Sequence, residues 1–297
     1  MDSFLFILKP NYVSDNYSIT KPKIEESMSA PLKIFELSTL KSMLLILGAY
    51  TFSYCLGLTF HETGHALAYL IVGGISDIEI HVNPFTESYV SCSYVPTEVF
   101  PFTGAMGPLF NLLCSSILTL VLWRKRNPKL LPLLMCAGTN FIVEGVGIFI
   151  DIADLPMLSD WGKVMVIGGV SPIIMSIIGA IFIIIGSTIM LLLIPLVNVS
   201  SHDSYWRRVL ILSGSILYFT FSVFYVSIFV PNLLENKLIP LFSAIGFTVL
   251  LMALYKPVFP FLDRISHTET SMVDWSAIAI AFGAAFAIIS VDLIFFY

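Results

Sequence analysis

Long uninterrupted apolar stretches dominate the chain, at residues 37–72, 102–123, 130–150, 164–197, 209–230, 238–261 and 275–296. Each is near or above the roughly 20 residues that a helix needs to cross the hydrocarbon of a bilayer. The pattern predicts an all-α polytopic membrane protein with about seven transmembrane helices. The first stretch would be about 54 Å long at 1.5 Å per residue, so it must tilt, protrude or break, with Gly57 as the candidate break. The fourth is also overlong, and Pro172 or Pro195 marks a kink or an end. Period-two alternation appears between the first two stretches, in Ile78–Val82 and again in Tyr89–Val95, with Asn83-Pro84 able to turn between them. A short β-hairpin is therefore expected within residues 76–96. Residues 1–36 mix prolines with lysines and glutamates and read as an extramembrane tail, and Phe4–Leu8 is too short an apolar core for a conventional signal peptide. The chain thus divides into a tail at 1–36, a three-helix core at 37–163 and an accessory four-helix region at 164–297.

Composition agrees with the membrane class. Hydrophobic residues make up 57% and charged residues 12% of the 297, and mean hydropathy is +0.90. The net charge of -5 carries little information about partners, and the absence of a long basic patch gives no support to nucleic-acid binding. The four cysteines, at 55, 92, 114 and 136, form no C-x-x-C pair, so neither a disulfide framework nor a cysteine metal site is expected.

The chemistry begins inside the first apolar stretch with His61-Glu62-Thr63-Gly64-His65, an H-E-x-x-H sequence. On a helix, positions i and i+4 share a face, so both imidazoles can reach one metal ion. Glu62 projects beside them, where a carboxylate can take a proton from water. Ionisable groups at membrane depth are costly, which favours a functional over an incidental role. Two imidazoles leave a catalytic zinc site one protein ligand short. Ala68 and Ile71 occupy the positions where the extended H-E-x-x-H-x-x-G-x-x-H motif needs Gly and His, so that geometry is absent. No downstream Glu is followed four residues later by Asp, which disfavours a helical E-x-x-x-D ligand pattern.

Two further segments follow in order: Gly107-Pro108-Leu109-Phe110-Asn111 in the second stretch, and Asp154-Leu155-Pro156 to Asp160-Trp161-Gly162 after the third. Together with the histidine motif they resemble the site-2 protease family of intramembrane metalloproteases, over about residues 43–165. That family combines H-E-x-x-H, G-P-x-x-N and an N-x-x-P…D-G segment. The first two motifs match letter for letter; in the third, Asp154 replaces Asn, and Trp161 separates Asp160 from Gly162. The resemblance implies zinc held by His61, His65 and Asp160, with Asp154 and then Asp151 as alternative third ligands. It also implies Glu62 as general base and Asn111 as the residue that positions the substrate carbonyl or the developing oxyanion. A membrane-spanning protein is the implied substrate. Two competing classes stay open: a non-proteolytic zinc-binding regulator or transporter, and a membrane zinc hydrolase acting on a non-peptide bond.

Two more ionisable residues need placing. Glu144 lies within an apolar stretch one helical turn after Asn140, and is either functional or neutral and hydrogen-bonded to Asn140. His81, on the expected hairpin, reads as structural or exposed. The lysines and arginines, densest at Arg124–Lys129, put the N-terminus in the cytoplasm and the hairpin on the opposite side. The family resemblance implies a centre nearer the cytosol, so the two orientation arguments oppose each other.

Overall fold

The computed structural model describes residues 36–73, 77–86, 88–92, 96–153, 159–199, 203–230 and 273–295, with residues 241, 245, 248 and 249. The described part is helical apart from one small sheet. Its helices are α1 (Leu37–Val72), α2 (Phe100–Leu122), α3 (Leu131–Ala153), α4 (Asp160–Val166), α5 (Pro172–Leu193), α6 (Tyr205–Leu212), α7 (Gly214–Phe229) and α8 (Trp275–Phe295). Five helical stretches are long and apolar enough to cross a membrane, and α6 with α7, bent by 45°, forms a sixth if the pair counts as one span. This is the pattern of a multi-pass membrane protein. The expected span at 238–261 lies almost entirely outside the described residues, as does the tail at 1–35.

Helix α1 runs unbroken for its 36 residues and ends at Gly73, whose left-handed φ of 91° closes the last turn. Gly57 does not break it. A side chain there would collide with the Asn140 amide, so the glycine serves close approach of α1 to α3. Ser53 of α1 adds a buried hydrogen bond of 2.6 Å to the Pro132 carbonyl at the start of α3.

The expected span at 164–197 is corrected to two elements. Helix α4 stops at Val166, Gly169 takes a left-handed φ of 70°, and α5 starts afresh at Pro172. Proline suits the first helical turn because its missing N–H has no intrahelical partner there, and the Ser171 hydroxyl caps the Ile173 N–H. The expected span at 209–230 likewise becomes α6 and α7, where Gly214 lies so close to α1 that a Cβ would sit 2.6 Å from the Met43 carbonyl. Small residues bring α3 and α5 together: a Cβ on Gly145 would lie 2.8 Å from the Gly179 carbonyl. Outward-facing isoleucines 173, 174, 177, 181 and 184 leave the other side of α5 apolar and exposed, as a lipid-facing surface requires.

The hairpin forms inside the expected range. Strands β1 (Glu79–His81) and β2 (Tyr89–Ser91) pair antiparallel, with Ile80 opposite Val90. The Asn83 side chain sets the turn by accepting from the N–H groups of Phe85 (3.0 Å) and Thr86 (3.2 Å). Its tip rests on α7: the Tyr218 hydroxyl donates to the Pro84 carbonyl at 2.8 Å, and Phe85 packs on Tyr218 and Tyr225. Before α8, Asp274 accepts from the Ala277 N–H and the Ser276 hydroxyl, both at 2.8 Å, and these bonds hold its carboxyl below the usual carboxylate range.

Candidate metal centre

His61 and His65 lie one turn apart on α1, their rings 4.8 Å apart. The N-terminal residue of α4 completes the group. Asp160 Oδ2 is 2.8 Å from His61 Nε2 and 3.2 Å from His65 Nε2. One ligand atom from each of the three side chains can be chosen so that all lie within 4.8 Å of one another, a set that can hold a metal ion. Tetrahedral ligands at about 2.0–2.1 Å from zinc stand about 3.3 Å apart, close to these separations.

The hydrogen bonds behind the rings explain why a cation fits. His65 Nδ1 faces the Thr103 carbonyl at 2.7 Å, and a carbonyl only accepts, so that nitrogen carries the proton. His61 Nδ1 faces Glu144 Oε1 at 3.0 Å, which imposes the same tautomer when Glu144 is ionised. In neutral imidazoles both Nε2 lone pairs then converge on the Asp160 carboxylate. Three acceptors so close repel unless a positive charge sits among them. The donor set therefore fits a divalent metal such as zinc.

Backbone proximity makes the cluster possible. A Cβ on Gly107 would collide with the His65 ring, and one on Gly64 would come 2.5 Å from the Met106 carbonyl, so these two glycines let α1 and α2 cross closely. A Cβ on Gly104 would sit 2.6 Å from the Asp160 carbonyl, so this third glycine admits α4. Helix α4 is itself held by Asp151 at the end of α3, whose carboxylate accepts from the Trp161 N–H at 3.0 Å. Asp151 thus positions the helix bearing Asp160 and stands apart from the ligand group. Asp154 lies outside the described residues.

Glu62 is 4% exposed, and its Oε2 has no hydrogen-bond partner among the described residues. It lines a cavity of about 320 Å³ together with His61, His65 and Asp160, walled on the far side by hairpin residues Asn83, Ser88, Tyr89 and Val90. Lys163 also lines this cavity, its ammonium 3.5 Å from Asp160 Oδ1. A second cavity of about 220 Å³ lies towards α3; it shares Tyr54, Leu58, His61 and Asp160 with the first and includes Asn111, Asn140 and Glu144.

Asn111 stands away from the main cavity. Its Nδ2 donates to Glu144 Oε1 at 3.0 Å, and its Oδ1 accepts from the Ser115 hydroxyl at 3.2 Å. Asn140 donates to Ser115 Oγ at 2.7 Å, so the buried partners of Glu144 are His61 and Asn111. His81 stacks on Tyr89 within the hairpin, outside the ligand group. Lys163 escaped sequence reasoning, although its spacing three residues after Asp160 on a helix is a legible signal. The Thr103 contribution is a backbone carbonyl and leaves no side-chain signature. Comparison of the chain with family models, with curated proteins and with solved structures finds no match.

Proposed function

We propose that this chain is an intramembrane zinc metalloprotease of site-2 protease type that hydrolyses peptide bonds of membrane-spanning proteins, with Glu62 as general base. Glu62 itself carries the reading. A site that only stores or senses metal has no use for a buried, unpartnered carboxylate beside the ligands and facing the same cavity. His61, His65 and Asp160 would hold the zinc, which when bound would supply Lewis acidity and a water of lowered pKa, toward about 7. Glu62 accepts the proton of the attacking water and returns it to the leaving amine. Lys163 lines this cavity with its ammonium 3.5 Å from Asp160 Oδ1, near enough to the ligand group to offset negative charge that develops on a carbonyl bound there. The hairpin favours a peptide over other substrates: β2 borders the cavity and is an edge strand of the two-stranded sheet among the described residues, a place where an extended segment can add as a strand. Peptide bonds in a helix are shielded, so the substrate unwinds locally before it lies there.

The test uses purified full-length protein in vesicles, with a labelled membrane-spanning peptide in one arm and labelled lipid in the other, each with and without a zinc chelator. The protease assignment predicts chelator-sensitive cleavage of the peptide and intact lipid. Lipid products would place the chain among hydrolases of non-peptide bonds. Inertness towards both, with metal bound, would point to a regulator or transporter.

A further inference from the structure

We infer that Glu144 is a positioning residue of this metal centre, fixing His61 for the metal, and that Asn111 serves as its brace. The inference rests on the metal reading of the site and adds to it two residues of α2 and α3 that supply no metal ligand. Glu144 is 5% exposed in the middle of an apolar helix, where an ionisable group needs a partner. It spends one oxygen on two donors at 3.0 Å each, His61 Nδ1 and Asn111 Nδ2. The bond to Nδ1 leaves His61 Nε2 bare and aimed at Asp160, the tautomer that a metal requires, and a carboxylate there makes the imidazole a stronger donor.

The amide that holds Glu144 is itself oriented. Ser115 donates to Asn111 Oδ1, which turns Nδ2 towards Glu144, and Asn140 donates to Ser115. Four buried side chains from α2 and α3 thus converge on one ring nitrogen of α1. The counterpart at His65 is a neutral carbonyl, Thr103, so the two imidazoles differ in electronic support. Glu144 reaches the metal side through the His61 ring and lines the second cavity, away from Glu62. Its role is therefore orientation and donor strength at His61, with no contact to the reacting bond.

The test measures zinc affinity of the full-length protein in detergent by chelator competition, and the absorption spectrum of the cobalt-loaded protein. Glu144→Ala is expected to weaken zinc binding about 10–100-fold and to shift the cobalt bands. Glu144→Gln keeps an accepting oxygen without the charge and is expected to recover part of that loss. Asn111→Ala, which removes the brace and leaves the carboxylate, is expected to fall between wild type and Glu144→Ala. Wild-type affinity and an unchanged spectrum in Glu144→Ala would overturn the inference. If that variant does not fold, the same result in Glu144→Gln and Asn111→Ala together would overturn it. The readout is independent of peptide cleavage, so failure here is distinct from failure of the protease assignment.

Discussion

The two halves of the chain bury opposite kinds of surface. Between α1, α2, α3 and α4 lie His61, His65, Glu144, Asp160, Asn111, Asn140 and Ser115, linked by hydrogen bonds and close polar contacts around the candidate metal site, with Glu62 buried beside them. The contacts of α5 and α8 with that core are mainly apolar: Gly179 and Gly186 against α3, Phe182 on Phe141, and Ala277, Ala281 and Ala285 buried along α8. Polar exceptions are Ser187 of α5, whose hydroxyl has no partner among the described residues, and Asp292 of α8, whose carboxylate accepts from Thr59 at 2.8 Å and carries a second oxygen likewise without one. Removing backbone and side-chain polar groups from water costs free energy that only satisfied partners or a bound charge offset. Most groups of the first region meet this cost by bonding one another, and Glu62 Oε2, without a partner among the described residues, stands beside a ligand set that can hold a cation. The second packs by shape.

The contrast can be broken from its polar side first. His65→Ala removes one of the three candidate ligands, and loss of metal should exceed the about 10–100-fold typical of an outer hydrogen-bond partner; elemental analysis of the purified variant measures it. Gly107→Ala should follow. Its new methyl collides with the His65 ring, so overpacking of about 1–3 kcal/mol should appear in thermal unfolding together with weakened metal binding. Wild-type metal affinity in that variant would show that the α1–α2 crossing can relax.

On the apolar side the expected effects are smaller. Tyr218→Phe removes the bond that pins the hairpin tip to α7, worth about 0.5–1.5 kcal/mol. It should raise KM for a membrane-spanning peptide and leave metal content unchanged. A drop in metal content instead would mean that α7 supports the centre directly. Asp292→Asn should change least: the amide still accepts from Thr59 and removes a charge held by one hydroxyl, so unfolding should shift by less than about 1 kcal/mol with metal binding intact. A large loss of metal or activity there would erase the division between the two regions.

Legibility followed the range of the interactions. The pairing of His61 with His65 depends on helical pitch alone, so five consecutive residues reveal it, and the hairpin was readable from alternation around Asn83-Pro84. Asp160 lies far along the chain and was reached through a motif resemblance; its short helix was hidden because apolar residues continue across Gly168–Gly169 into α5. Glu144 was conspicuous as a carboxylate in an apolar helix, but its partner depends on how α3 is rotated against α1 and α2. Local spacing suggested Asn140; the fold brings His61 and Asn111 instead. The roles of Gly104 and Gly107 appear only once neighbouring helices are in place.

The central claim is that Glu62 is the base of a metal-dependent peptide hydrolysis, and Glu62→Gln tests it most directly. Metal content and cleavage of a membrane-spanning peptide are measured on the same purified sample. Full zinc occupancy with cleavage reduced at least about 100-fold is the predicted outcome. Cleavage at the wild-type rate with zinc bound would contradict it.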